Sequence, residues 1–120
     1  MKSIVFYSPD FSMCYSILMY LQDKYKVSVT NDIDVVKSLV TGCTDTLMLD
    51  IEPSGKAEEL LRKIREIAPS LKIILTYVFK PSSKERESSI RNYIDMIFYK
   101  PFDLNEVSAK LSSSEIHKTT

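Results

Sequence analysis

The sequence predicts an α/β fold: a doubly wound, five-stranded parallel sheet with helices on both faces. Three observations carry that prediction. Five short apolar runs alternate with five stretches of helical periodicity. Some of those runs, Leu47 to Leu49 above all, lack polar alternation and so suit strands covered on both sides. Strands separated by helices, with no internal repeat, imply right-handed crossovers rather than hairpins.

Ser3–Tyr7 (SIVFY) is rich in β-branched and aromatic residues and runs into Ser8, Pro9 and Asp10, a first strand with a loop behind it. From Phe11 to Tyr25, the residues Cys14, Ile17, Leu18, Leu21 and Tyr25 recur at three and four, one stripe of a helix. Val27 and Val29 alternate with Ser28 in a short strand near a sheet edge. Asn31 or Asp32 can cap the second helix, whose buried face is Val35, Val36, Leu39 and Val40 and whose end is Gly42. The third strand lies in Thr46–Pro53 (TLMLDIEP), apolar until it stops on Asp50. Leu60, Leu61, Ile64 and Ile67 mark a helix from about Lys56 to Ala68, stopped by Pro69. Lys72–Tyr77 (KIILTY) is a fourth strand broken by Thr76. Ser82 with Glu85 makes a capping box for a fourth helix, lightly packed and mobile because only Ile90, Tyr93 and Ile94 give it an apolar face. Met96–Tyr99 is the fifth strand. Asp103 and Glu106 open a last helix with Leu104, Val107 and Leu111 turned inward.

At 120 residues the chain fits one domain, 1–120, with 112–120 expected to fray. Sixteen basic and sixteen acidic residues cancel, so no global field draws the molecule to nucleic acid or an anionic membrane. The apolar run Ile4–Tyr7 is far too short for a secretion signal or a membrane span, which points to a cytoplasmic protein. Cys14 and Cys43 have no metal-ligand spacing and are expected as small buried residues rather than a disulfide. The one histidine, His117, sits in the polar tail, which sets aside His-based hydrolase chemistry.

Four polar breaks remain: Ser8 to Asp10, Asp50, Thr76 and Lys100. Each falls at the carboxyl end of a strand, and parallel strands bring such ends to one rim. A carboxylate, a hydroxyl and an ammonium gathered there can hold a phosphoryl group, the Lys as a point charge and the Thr as a donor.

These residues carry a resemblance over essentially the whole chain. Asp45–Asp50 (DTLMLD), Glu59–Arg65 (ELLRKIR), Lys72–Thr76 (KIILT) and Lys100–Phe102 (KPF), in that order and spacing, resemble the receiver domain of two-component response regulators. The resemblance implies a flavodoxin-like sheet in the order 2-1-3-4-5, with Asp50 as phosphoacceptor. It also implies that Thr76 binds a phosphoryl oxygen, that Lys100 counters its charge, and that Lys100-Pro101 is cis. A histidine kinase or phosphotransfer protein would supply the phosphoryl group, and a downstream protein would read the face of the fourth helix, fifth strand and fifth helix. Receiver dimers usually use the same elements; the sparse fourth helix decides neither for nor against one. The implied cofactor is Mg²⁺, held by Asp50, Asp10 and the backbone carbonyl of Glu52.

The chain also departs from that pattern. The family ends its first strand with paired acids; here the window reads Tyr7, Ser8, Pro9, Asp10, which weakens the ion. Pro53 stands three places after Asp50 rather than four, and Ile97 replaces the switching aromatic three before the lysine. Tyr77 follows the switch Thr, where a phenol could cover the acceptor.

Three expectations follow. The first is a non-enzymatic receiver switched by phosphorylation of Asp50. The second keeps the fold as a phosphorylation-independent pseudo-receiver, a protein-protein interaction module in which Asp50, Thr76 and Lys100 form a structural cluster. The third, a small flavin or nucleotide enzyme, is disfavoured because the first loop, SPDFS, has no phosphate cradle. No DNA-binding or enzymatic effector is expected within these residues.

Overall fold

Alternate residues of each strand feed opposite sides of one parallel sheet. In the computed structural model, which describes the backbone of residues 1–119 and side chains through Ser112, the strands are β1 (Ser3–Tyr7), β2 (Lys26–Thr30), β3 (Thr46–Asp50), β4 (Lys72–Tyr77) and β5 (Met96–Tyr99). They pair in parallel in the order β2-β1-β3-β4-β5. Ile4, Phe6, Met48 and Ile74 pack on one side, Val5, Tyr7, Leu47, Leu49, Ile73 and Leu75 on the other. This is the period-two splitting that makes β3 and β4 apolar without interruption.

Helices α1 (Phe11–Leu21) and α5 (Leu104–Thr119) cover the first side through Cys14, Ile17, Leu21, Val107 and Leu111. Helices α2 (Val36–Leu39), α3 (Gly55–Ile67) and α4 (Lys84–Ile90) cover the second through Val36, Ala57, Leu61, Ile64 and Ile90. Fully burying one such Leu or Ile contributes about 1.5–3 kcal/mol, so these few positions dominate the packing energy of each helix. No helix among the described residues is long and apolar enough to cross a membrane.

Several expected boundaries move. The first helix stops at Leu21, and a turn carries the chain to Tyr25, which is buried all the same. The second shrinks to four residues behind a 3-10 turn at Ile33–Val35, and it ends where Val40 adopts an extended backbone, before Gly42. β-Branched Val35, Val36 and Val40 lose side-chain freedom in a helix, which makes this the weakest helical stretch by propensity. Ser54 caps α3, accepting from the Ala57 amide at 3.1 Å, and Ile67 at its last turn is exposed rather than buried. The proposed Ser82–Glu85 box does not form: Pro81 opens a 3-10 turn there, and α4 begins at Lys84 with no side-chain cap. Cys14 is buried as expected, but Cys43 is exposed in the turn before β3. The α5 backbone is helical to Thr119, while the side chains of 113–120, and with them the expectation for the tail and His117, lie outside the described residues.

Arg65 was not singled out by its position in the sequence, yet it ties α3 to the start of β5. Its Nε donates to the Tyr93 carbonyl at 2.9 Å and its Nη2 to Asp95 Oδ2 at 2.9 Å, while Nη1 reaches the Leu71 carbonyl. The same Asp95 oxygen accepts from the Ile73 amide at 2.8 Å. Lysine keeps the charge but not the fork, so Arg65→Lys is expected to cost about 1–2 kcal/mol, read from the urea midpoint at unchanged slope.

Candidate functional site

At the carboxyl rim, the middle strands end on polar side chains because the apolar runs stop there. Asp50 and Thr76 are register partners on β3 and β4, and Lys100 follows β5 directly. Asp50 is 5% exposed. Its Oδ1 lies 2.8 Å from Lys100 Nζ, and its Oδ2 accepts from the Ser8 hydroxyl at 2.7 Å. The Lys100 side chain keeps 28% of its surface in solvent. The Lys100-Pro101 bond is cis, as the resemblance implied. A recess of about 340 Å³ opens above the carboxylate, walled by Tyr7, Pro9, Ile51, Val78 and Lys100.

The convergence expected of residues 50, 76 and 100 is therefore present, and it includes Ser8. That residue lay within the first polar break but had no role assigned to it. Fully buried, its hydroxyl also accepts from the Asp10 amide at 3.0 Å, which orders the loop leading into α1. Thr76 Oγ1 is buried and has no hydrogen-bond partner among the described residues. Such an atom costs about 1–3 kcal/mol, a cost that a ligand oxygen would relieve. Thr76→Val should accordingly raise stability by about 1 kcal/mol in urea unfolding, an unusual sign for a substitution in a core.

The side chains of the other predicted site residues are engaged elsewhere. Asp10 is exposed, and its Oδ1 accepts from the Ser12 amide at 2.9 Å, capping α1. The Glu52 carboxylate pairs with Lys80 at 3.1 Å across open surface. Mg²⁺ demands near-octahedral oxygen ligation, supplied by one or two carboxylates with free oxygens together with waters and phosphate. Among the described residues no three His, Cys, Asp or Glu side chains gather where they could hold a metal ion. With one carboxylate already bound by an ammonium and a hydroxyl, the residues present do not fit the implied magnesium site.

Tyr77 does not cover the acceptor with its hydroxyl. Its ring forms part of the recess wall, but the phenol donates to Glu87 of α4, a buried acid that sequence reasoning missed. The signal was available: Glu87 stands three residues before Ile90, on the same helical face. Ile97, at the position of the switching aromatic, is half-buried on the edge strand β5, opposite Leu75 of β4. Burial pushes the Tyr7 phenol up, and the negative charges of Asp50 and Asp32 push it further. Burial also raises the Cys14 thiol, against the opposing bond to the Ser8 carbonyl, so this cysteine stays protonated beneath the rim.

No protein-family model matches the chain, and no curated protein sequence matches it significantly. Solved structures do. A two-component response regulator from Clostridium difficile superposes with a TM-score of 0.81 at 18% identity, covering 100% of both chains. A CheY-like response regulator receiver domain protein from Methanospirillum hungatei JF-1 gives 0.77 at 18% identity, over 100% of this chain and 99% of its own. The fold is the receiver fold. A streptococcal protein of a redox-sensor family evolved from two-component response regulators gives 0.81 at 16% identity, over 100% of this chain and 56% of that one. At such identities the likeness establishes the receiver fold, its sheet order and its helical layers, and nothing about chemistry.

Proposed function

We propose that this receiver-fold chain is a non-enzymatic signal-relay module of the two-component kind, with Asp50 as the acceptor of a phosphoryl group from a histidine kinase or phosphotransfer protein. The observation that carries the reading is the convergence of Asp50, Lys100 and the unpartnered Thr76 hydroxyl at one rim. In the transfer, an Asp50 oxygen attacks phosphorus, the bond to the donor nitrogen breaks, and the donor leaves with the electron pair. Lys100 neutralises charge on the transferred group, and the Thr76 hydroxyl donates to one of its oxygens. The acyl phosphate carries about −1.5 to −2 charges where the free carboxylate carried one, beside a cation already in place. A downstream protein then reads the face formed by α4, β5 and α5.

A second reading is favoured by one observation: Ser8, rather than an acid, faces Asp50, and Asp10 is committed to capping α1. On that reading the rim is a structural cluster, and the chain is a pseudo-receiver whose partner binds a fixed surface. Incubation with acetyl phosphate, with and without Mg²⁺, followed by intact-mass and peptide mapping, separates the two. An adduct on Asp50 that is lost in Asp50→Asn supports relay. No adduct and no spectral response to beryllofluoride removes it and leaves the pseudo-receiver.

A further inference from the structure

Helix α4 carries a buried carboxylate that the rim does not use. Glu87 is 8% exposed and lies between Tyr77 of β4 and Tyr99 of β5. Both phenols donate to its Oε1, that of Tyr99 at 2.8 Å, and Arg91, one turn on, approaches Oε2 at 3.4 Å. Tyr77 is itself almost wholly buried, and its ring meets Tyr99 edge-on at 5.8 Å between centroids. Tyr99 in turn meets Phe79 edge-on at 5.5 Å.

Beyond these bonds and one from the Ser89 hydroxyl to Glu58 of α3, helix α4 has little to hold it. It is seven residues long, begins with no side-chain cap, and buries only Glu87 and Ile90. A helix so short does not persist on propensity alone, so its position depends on tertiary contacts. One of its two buried side chains is an acid, stable there only while its bonds are made.

We propose that Glu87 is a latch: bonded by the hydroxyls of Tyr77 and Tyr99, its carboxylate fixes α4 against β4 and β5, and its loss frees residues 81–93 while the rest of the sheet stays folded. The latch also gives α4 a connection to the rim, since Tyr77 follows Thr76 in β4. That connection to Asp50 rests on the reading proposed above; the latch itself does not.

The charge on Glu87 is part of the device. Burial alone would raise its carboxyl, but the hydrogen bonds from Tyr77 and Tyr99 and the charge of Arg91 outweigh burial and hold it below the ordinary value. Burial, then the bond to Glu87, raises both phenols, so neither ionises in the acid range. Tyr77, Tyr99 and Arg91 are the groups that face Glu87, and in acid only the carboxyl titrates. A depressed folded value means that the stabilisation is complete above the unfolded carboxyl value and is lost as pH falls through the folded one.

The test is amide hydrogen exchange read by mass spectrometry on the intact chain and on Glu87→Gln and Tyr99→Phe. In Glu87→Gln, exchange across 81–93 is expected to rise by about tenfold while β1 and β3 stay protected. Tyr99→Phe, which removes one bond from a partly exposed side chain, should give a smaller rise in the same segment. Acidification should free 81–93 selectively in the parent, after correction for the intrinsic pH dependence of exchange, and not further in Glu87→Gln. Unchanged exchange in 81–93, or a rise shared equally with β1 and β3, overturns the proposal. Should Glu87→Gln fail to fold, Tyr99→Phe and the parent's acid response decide by the same criteria. None of these readouts involves phosphorylation, so a failed latch and a failed relay are distinguishable.

Discussion

Lys100→Ala should lower the unfolding free energy by about 3 kcal/mol, whereas Asp50→Asn should cost less than about 1 kcal/mol, although the two substitutions break the same ion pair. The asymmetry follows from burial. Asp50 keeps 5% of its side-chain surface in water and Lys100 keeps 28%. Removing the ammonium leaves a nearly buried carboxylate without its counter-charge, with the Ser8 hydroxyl as its remaining side-chain partner. Removing the carboxylate charge leaves an ammonium on a flexible stem that can turn toward solvent. Urea unfolding of both variants and of the double variant closes a cycle whose coupling term belongs to the pair. Equal costs for the two single variants would show that burial does not govern this site.

Ser8→Asp should raise the affinity for Mg²⁺ by at least about tenfold and make acceptance of a phosphoryl group at Asp50 depend on the ion. Ser8 is fully buried with its Oγ 2.7 Å from Asp50 Oδ2, so a carboxylate at this position lands beside the existing one. Without metal the two negative charges repel, and the variant should be less stable than the parent. With metal they become a ligand pair, and at about 100 times the dissociation constant binding returns roughly 2.7 kcal/mol of stability. Thermal unfolding with Mg²⁺ and with a chelator reads both effects. A variant whose Tm ignores the ion would show that the first loop is shaped against a metal by more than one missing acid.

The lysine prediction bears on the pseudo-receiver reading as well. A structural cluster needs only the pair; a relay also needs the Thr76 hydroxyl free and the carboxylate reachable. The recess above Asp50 supplies reach, and the Thr76 hydroxyl supplies a donor with no partner among the described residues. Thr76→Val therefore separates stability from acceptance: the first should rise and the second fall, a combination that a purely structural threonine would not produce.

Much of this could be read directly along the chain. Runs such as Leu47 to Leu49 and Ile73 to Leu75 announce strands covered on both faces, because an apolar residue at every position has nowhere to face except protein. The polar stops at Asp50, Thr76 and Lys100 mark the rim for the same reason. Errors clustered where local signals were weak or in conflict. The valine-rich second helix shortened because β-branched residues fit a helix poorly, and the fourth began later than its serines suggested because Pro81 set up a 3-10 turn.

By itself the sequence determined the alternation of strand and helix, the apolar faces, and which side chains end each strand, since these follow from periodicity and from the directions that the backbone imposes on neighbours. Only the tertiary structure decided that Ser8 meets Asp50 and that Glu87 sits between two phenols. Those outcomes depend on distances between residues 10 to 42 positions apart, which no local pattern encodes. Buried polar groups take whichever partner the packed helices bring within reach.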